Sequence, residues 1–297
     1  MLRREIDTFI EDFYKSTDKA LLITGARQIG KTFSIREFGK RWSCFVQINF
    51  IENAQAASMF KDVTSASELL LRLSLATNKK LEKGKTLIFF DEVQACPDVV
   101  TAIKFLVEEG SYRYIMSGSL LGVELKNLRS EPVGYMGVKE MFPLDLEEFV
   151  RAIGIGDAVI DHLRNSWDKL KEVDDFIHKK MMELFRLYLI VGGMPAAVSK
   201  YLETNNLQEV MAVQKDIIAM YKRDISKYDL NNKLAINEIF ELIPPELNAK
   251  NKRFILKNLN ENAKYERYHN SFLWLKNAGV ALPVYNVEEP KQPLLLA

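Results

Sequence analysis

Five short apolar runs in the first half of the chain alternate with segments of helical periodicity. In the first such segment, apolar side chains recur every three or four residues, at Ile6, Phe9, Ile10 and Phe13, as on one face of a helix. The apolar runs, which predict strands, are Ala20–Ile23, Cys44–Phe50, Thr86–Phe90, Tyr112–Met116 and Gly137–Phe142. Strands that alternate with helices in this way predict an α/β fold with a five-stranded, mainly parallel sheet and helices on both faces.

The second half of the chain has mostly helical periodicity. A helix is expected to begin at Asp145, and others to cover residues 177–190 and 207–228. Pro244-Pro245 predicts a boundary, because proline interrupts helices. The following residues, up to about 290, predict two helices and then a strand pair at Val280–Val287, as in a small winged-helix unit. The predicted domains are a core at 1–143, a helical lid at 144–229 and a winged-helix-like module at 230–293.

A glycine-rich segment joins the first predicted strand to a helix. Its sequence, Gly25-Ala26-Arg27-Gln28-Ile29-Gly30-Lys31-Thr32, matches the P-loop pattern in the expected strand–loop–helix context. Glycines let the backbone direct its N–H groups at phosphate oxygens, and the start of the helix adds its positive dipole end. Lys31 is expected to reach the β- and γ-phosphates, and Thr32 to bind Mg²⁺. The predicted nucleotide-binding residues are Gly25, Ala26, Arg27, Gln28, Ile29, Gly30, Lys31, Thr32 and Phe33.

Two adjacent acids, Asp91 and Glu92, follow the continuously apolar third strand. A strand that is apolar throughout is buried on both faces, and its carboxyl end lies at the ligand-binding edge of such a sheet. Asp91 is therefore expected to hold Mg²⁺ as a Walker B aspartate does, and Glu92 to polarise the attacking water. The alternative is a solvated strand end that carries two charges.

Five further residues, in three segments of the chain, are candidates for contact with the nucleotide. The fourth predicted strand runs into Ser117-Gly118-Ser119, where a polar residue senses the γ-phosphate in related folds. Ser117 is the first choice for this catalytic role and Ser119 the second, against an ordinary serine-rich turn. Arg129 lies in a predicted loop and is a candidate arginine finger, in cis or towards a neighbouring subunit, although a solvent-facing side chain is the favoured alternative. Arg3 and Arg4 are candidates for contact with the base, although solvated side chains are expected at both positions.

Composition and charge narrow the possible functions. Apolar residues make up 47% and charged residues 27%, with a net charge of +1, which favours neither a nucleic-acid nor a membrane partner overall. The two cysteines form no metal pattern, the three histidines are scattered and no apolar run approaches a membrane span. We therefore expect a cytoplasmic protein. Residues 246–269 hold six basic residues and three acids. They are a candidate contact for DNA or a protein, although a plain packing module is the favoured expectation.

The order of the motifs resembles that of a known family, the bacterial and archaeal AAA-type ATPases that carry a C-terminal domain of unknown function (number 4143). The resemblance extends from about residue 3 to residue 293. The stretches that carry it are Gly25–Thr32, Leu87–Gln94, Ser117–Gly122, Pro132–Gly134, Phe142–Leu144, Glu147–Phe149, Gly192–Pro195, Tyr221–Ile225 and Trp274–Gly279. It implies an ATP-binding P-loop NTPase core, a helical lid, a winged-helix-like module and often a nuclease-like last module. That last module is expected to be absent, because the sequence reaches Ala297 where it would begin.

The sequence thus predicts an AAA-type ATPase that uses ATP and Mg²⁺. The alternative is a nucleotide-gated switch that binds DNA or a protein, with slow ATP turnover. A GTPase is disfavoured because no Asn-Lys-x-Asp segment is present, and a small-molecule kinase because no second phosphate-binding motif is visible. An oligomer is compatible with either of the two favoured functions.

Overall fold

A computed structural model describes residues 2–61, 63, 65–77, 79–119, 134–226, 230–261 and 264–284. The chain divides into two compact units, Met1–Met220 and Tyr221–Ala297. The division into a core, a lid and a third module stays a prediction.

The first unit contains a five-stranded parallel sheet. Its strands are β1 (Ala20–Thr24), β2 (Cys44–Asn49), β3 (Thr86–Asp91), β4 (Arg113–Ser117) and β5 (Met136–Glu140). They lie in the order β2-β3-β4-β1-β5, and every neighbouring pair is parallel. The predicted sheet is confirmed. The order places β1 and β3 on either side of β4, so that the loops after these three strands meet at one edge.

Helices cover both faces of the sheet because the side chains of strands β1 to β4 alternate between two apolar clusters. Helices α1 (Glu5–Ser16) and α2 (Lys31–Gly39) pack on the face that contains Leu21 and Phe89. Helices α3 (Ala66–Ala76) and α4 (Asp98–Glu109) pack on the face that contains Leu22 and Phe90. All six residues of β3 are buried, which explains its continuously apolar sequence.

The remainder of the first unit is helical. Its helices are α5 (Leu146–Ala152), α6 (Asp157–Asp168), α7 (Asp175–Val191), α8 (Pro195–Thr204) and α9 (Leu207–Ser226), the last of which continues into the second unit. A third apolar cluster, which includes Leu144, Phe149 and Val198, joins them. Helix α5 begins at a capping box, in which Asp145 accepts from the backbone of Glu148 at 2.7 Å. Helix α6 was not predicted from the sequence.

The second unit contains α10 (Leu230–Asn248), a 3₁₀ turn at Leu256–Asn258 and α11 (Tyr265–Asn277). The predicted boundary at Pro244-Pro245 is wrong, because both prolines lie inside α10. Each proline lacks the N–H that would bond to the carbonyl four residues earlier, and the helix ends soon after them, at Asn248. Residues 280–284 form no strand, and the rest of the predicted strand pair, 285–287, lies outside the described residues. The winged-helix-like module stays a prediction.

Over the described ranges, no single helix has the length and apolar composition needed to cross a bilayer. Helices α7 and α8 meet that criterion only as a pair, and they are bent by 118° relative to each other.

Candidate nucleotide site

The loops after β1, β4 and β3 bring most of the predicted site residues together at the carboxyl edge of the sheet. The glycine loop connects β1 to α2, Asp91 ends β3, and Ser117 ends β4. Thr32, in the first turn of α2, lies within hydrogen-bond distance of Asp91: Thr32 Oγ1 is 3.2 Å from Asp91 Oδ1 and 3.4 Å from Oδ2. Ser117 Oγ donates to Oδ1 of the same carboxylate. The sequence predicted this convergence from positions far apart in the chain.

The glycine loop requires glycine at Gly25. Its φ is +141°, and a Cβ at this position would lie 2.2 Å from the carbonyl oxygen of Met141. Gly30 precedes α2 with a φ of +100°, and Gln28 is also left-handed, at +62°. These values place the loop in conformations that L side chains rarely adopt. The positive φ values of Gly25 and Gly30 therefore explain why the motif has glycine at both positions.

Lys31 folds back over the loop that precedes it. Its Nζ donates to the carbonyl oxygens of Gly25, at 2.9 Å, and Ala26, at 2.6 Å. Burial lowers the pKa of the ammonium to about 8, although the carboxylates of Glu92 and Asp91 act in the opposite direction. A phosphate group at the loop would add negative charge beside this ammonium and raise its pKa.

Asp91 is the most enclosed acid of the site, with 1% of its surface exposed. Besides the two hydroxyls, two amides of β2 donate to it. Gln47 Nε2 lies 2.9 Å from Asp91 Oδ2, and Asn49 Nδ2 lies 3.2 Å from the same oxygen. These neutral donors satisfy the buried carboxylate without cancelling its charge. The sequence analysis did not single out either amide as a partner of Asp91.

Glu92 turns the chain sharply at the end of β3. Its φ of +59° is left-handed, and the residue caps a 3₁₀ turn at Val93–Ala95. The amide nitrogen of Gln94 donates to the Glu92 carboxylate, while Gln94 Oε1 accepts from the backbone N–H of Ser119 at 3.3 Å. Glu92 is thus held beside the loop after β4. It is close enough to Lys31 for its negative charge to act on the pKa of that ammonium.

The other candidate residues have different environments. Arg27 and Phe33 are exposed, and 51% of the Phe33 surface is open to solvent. Ser119 is buried and contacts Gln94 through its backbone N–H. Arg129 lies outside the described residues.

Arg4 contradicts the expectation that both N-terminal arginines are solvated. Only 7% of Arg4 is exposed. Its guanidinium donates to the carbonyl oxygens of Ile29, at 2.9 Å, and Phe142, at 2.7 Å, and its Nε lies 3.0 Å from Glu148 Oε2. Arg3 is exposed, as expected. Nothing in the sequence distinguishes the two neighbours, because the partners of Arg4 are distant in the chain.

The Gly192-Gly193-Met194-Pro195 turn also lies beside the glycine loop. A Cβ at Gly193 would lie 2.1 Å from the carbonyl oxygen of Leu144, and the Leu144 N–H donates to Gly193 O at 2.7 Å. Pro195, which begins α8, has its Cγ 4.0 Å from the Cβ position of Gly30. The motif therefore places the start of α8 against the end of the loop.

The donor set of the site suits Mg²⁺. In the described part of the chain, no group of three or more His, Cys, Asp or Glu side chains is arranged to hold a metal ion. Mg²⁺ does not require such a group in nucleotide sites, where one or two protein oxygens act together with phosphate oxygens and water. Thr32 and Asp91, with their oxygens 3.2 Å apart, provide this kind of incomplete set.

The parallel sheet, the glycine loop between β1 and α2 and the acid at the end of β3 define the fold of a P-loop NTPase. Residues 17–150 match the model of an AAA domain. Residues 182–293 match a domain of unknown function (DUF8612); the resemblance noted from the sequence named number 4143 instead. The first half of the chain is thus similar to an AAA domain, and most of the second half is similar to this second domain.

Solved structures are similar to this chain at low sequence identity. A Walker-type ATPase of Pyrococcus abyssi aligns with a TM-score of 0.56 and 12% identity, over 94% of this chain and 90% of that one. The Orc1 protein of Aeropyrum pernix, in complex with DNA, aligns with a TM-score of 0.39 and 14% identity, over 94% and 84%. None of the curated proteins matches. The first of these likenesses confirms the predicted P-loop NTPase fold.

Proposed function

We propose that this chain binds ATP together with Mg²⁺ and hydrolyses it to ADP and phosphate. The observation that carries the proposal is the contact of Thr32 with Asp91, 3.2 Å between the hydroxyl and carboxylate oxygens. It joins the glycine loop to the acid pair of β3, so that phosphate-binding and metal-binding groups face the same space. The AAA-domain match of residues 17–150 supports the same function.

The glycine loop would bind the phosphates. Gly25, Gln28 and Gly30 have positive φ values, and such a backbone would direct successive N–H groups at the phosphates, the arrangement that binds anions in P-loops. Lys31 would exchange its two carbonyl acceptors for phosphate oxygens. The backbone N–H groups of Thr32 and Phe33, at the start of α2, add donors at the positive end of the helix.

Thr32 and Asp91 would hold Mg²⁺. A Mg²⁺ ion held by these two residues would neutralise negative charge on the phosphates. Glu92, one residue beyond, is the candidate base that orients the attacking water. The Ser117 hydroxyl donates to Asp91, so it is placed to respond to a change at that carboxylate. Hydrolysis by such a site relies on positioning and electrostatics rather than covalent chemistry.

The proposal is tested by Lys31→Ala. Loss of charge-assisted hydrogen bonds to phosphate, at about 1.5–3 kcal/mol, should weaken binding of a fluorescent ATP analogue by roughly 10–100-fold and suppress turnover. Lys40→Ala, at the other end of α2, where Lys40 is exposed and pairs with Glu37, is the matched control and should bind normally. Equal affinities for Lys31→Ala and the unsubstituted protein would refute the site.

The pKa of Lys31 gives a second expected result. Because that pKa is about 8 in the free protein, most Lys31 side chains are neutral at pH 9, and ATP binding should then take up close to one proton. Affinity should fall as the pH rises above 8, by at most about tenfold per unit. Calorimetry at pH 9 in two buffers of different ionisation enthalpy measures the uptake. Lys31→Arg, which stays charged, should bind ATP without taking up a proton. If the unsubstituted protein takes up no proton at pH 9, the contact of Lys31 with the phosphates is contradicted.

The second candidate function is a nucleotide-gated switch that binds DNA through residues 246–269. All six basic side chains of this stretch are exposed: Lys250, Lys252, Arg253, Lys257, Lys264 and Arg267. One of its three acids, Glu246, is buried and accepts from Asn258 Nδ2, at 2.5 Å, and Ile255 N, at 3.3 Å. The six basic side chains face solvent beside two exposed acids, Glu261 and Glu266. Six basic residues and three acids leave this stretch a net charge of +3, which supports a polyanionic partner.

Reversal of two charges tests this second function. Lys252→Glu/Arg253→Glu should weaken duplex DNA binding at low salt and reduce the salt-dependence slope by about two, one for each phosphate that is no longer neutralised. Fluorescence anisotropy over a salt series measures both quantities. Lys169→Glu/Lys171→Glu, which changes the charge equally at exposed positions, should bind like the parent. Absence of DNA binding by the parent at low salt would rule the function out.

A further inference from the structure

We propose that Gln47 and Asn49, on strand β2, are positioning residues that orient the Asp91 carboxylate for Mg²⁺. This inference rests on the proposed function, because it concerns the metal that would accompany the nucleotide.

The register of β2 places both amides on the same side of the sheet as Asp91. Gln47 lies opposite Phe89 and Asn49 opposite Asp91 in the parallel pairing with β3. The intervening residues Val46 and Ile48 belong to the apolar cluster on the other face. Since strand side chains alternate, Gln47 and Asn49 both point to the face covered by α2, which carries Thr32.

The Gln47 amide has a defined orientation. Its Oε1 accepts from Arg36 Nε at 2.7 Å, and an arginine has no acceptor. The NH₂ group must therefore be the part of the amide that faces Asp91, at 2.9 Å from Oδ2. Arg36, on the exposed side of α2, thus acts on Asp91 through Gln47 rather than by direct contact.

The Asn49 amide is oriented in a similar way by the backbone. Its Oδ1 accepts from the N–H groups of Ile51, at 2.9 Å, and Glu52, at 3.0 Å. Its NH₂ group is left to donate to Asp91 Oδ2 at 3.2 Å. Two amides from one strand, each with its oxygen already engaged, thus converge on a single carboxylate oxygen.

The two oxygens of Asp91 have different hydrogen-bond partners. Oδ2 accepts from the two amides, while Oδ1 lies towards the hydroxyls of Thr32 and Ser117. Amides orient a carboxylate without adding positive charge, so the full negative charge remains available to a cation. Groups that orient a metal ligand in this way typically change metal affinity by about 10–100-fold when they are removed.

The test measures how nucleotide affinity depends on the Mg²⁺ concentration, and it does not use catalytic activity as its readout. Gln47→Met keeps the side-chain length and removes the donor to Asp91. We expect it to raise the Mg²⁺ concentration that half-maximally enhances binding of a fluorescent ATP analogue by about tenfold. Its affinity in EDTA should stay within about twofold of the parent, because the glycine loop is untouched. Gln55→Met, at an exposed glutamine outside the site, is the matched control and should leave both quantities unchanged.

A second variant tests the same contact without a substitution in the sheet. Arg36→Met changes an exposed side chain and frees the Gln47 amide to rotate, and it should shift the Mg²⁺ midpoint in the same direction by a smaller factor. An unchanged midpoint in both variants overturns the inference, as does an equal loss of affinity in EDTA and in Mg²⁺. If the parent itself shows no Mg²⁺-dependent nucleotide binding, the proposed function fails. If the parent shows such binding and neither variant shifts the midpoint, only the inference about Gln47 and Asn49 fails.

Discussion

Glu92→Gln is expected to reduce ATP turnover by about 10²–10⁴-fold, the usual contribution of a general base, and to leave ATP binding close to that of the parent. The substitution keeps the shape of the side chain and removes the carboxylate that would polarise water. The left-handed backbone of Glu92 should tolerate it, because glutamine and glutamate have the same steric demands there. Steady-state phosphate release and equilibrium binding of a fluorescent ATP analogue measure the two quantities.

The matched control for this prediction is Glu172→Gln. Glu172 is exposed in the turn between α6 and α7, and its substitution removes the same charge far from the loop in sequence. It should turn over ATP at the parental rate. Turnover by Glu92→Gln at that same rate would show that another group activates the water.

Arg4→Met should lower the free energy of unfolding by about 3–5 kcal/mol, the typical cost of removing one partner of a buried ion pair. The variant leaves the Glu148 carboxylate, 6% exposed, without its cation. The carbonyl oxygens of Ile29 and Phe142 also lose their donor. Urea denaturation monitored by circular dichroism gives the difference, provided that the slope of the transition is unchanged.

The neighbouring Arg3 provides the control. Its side chain is 73% exposed and pairs with Asp157 at 3.4 Å, so Arg3→Met should cost less than about 1 kcal/mol. The double variant Arg4→Met/Glu148→Gln should lose less than the sum of the single variants, because no unpaired buried charge remains. Similar small losses for Arg3→Met and Arg4→Met would contradict the description of Arg4 as a buried anchor.

The fold and the convergence of the glycine loop, Asp91 and Ser117 were predictable because their signals are local. The run Ala20–Ile23 is buried in β1, and Thr86–Phe90 is buried in β3, so hydrophobicity alone identified both. The glycine loop is recognisable because its backbone conformation requires glycine at defined spacings. The order of these elements then implied that the loop, Asp91 and Ser117 meet at one edge of the sheet.

The remaining site contacts depend on register and packing between distant segments. Gln47 reaches Asp91 only because β2 pairs with β3 at one particular register, and a shift of one residue would turn the amide to the other face. Arg4 is buried because α1 lies against the sheet, which brings Phe142 and Glu148 to it. Polar residues of this kind resemble solvated ones in the sequence. Pro244 and Pro245 show the opposite error, since a local signal for a boundary was overridden by the continuing helix α10.

The contact between Leu144 and Gly193 has a consequence for how this protein can vary in length. Because the Leu144 N–H donates to Gly193 O at 2.7 Å, the chain that forms α5, α6 and α7 leaves and returns at a single point beside the glycine loop. Insertions in the turn between α6 and α7 therefore need not displace either end of this excursion, and each doubling of such a loop adds only about 0.6 kcal/mol of closure entropy. We expect the helical region to accept added sequence there without a change of geometry at Gly25 and Lys31.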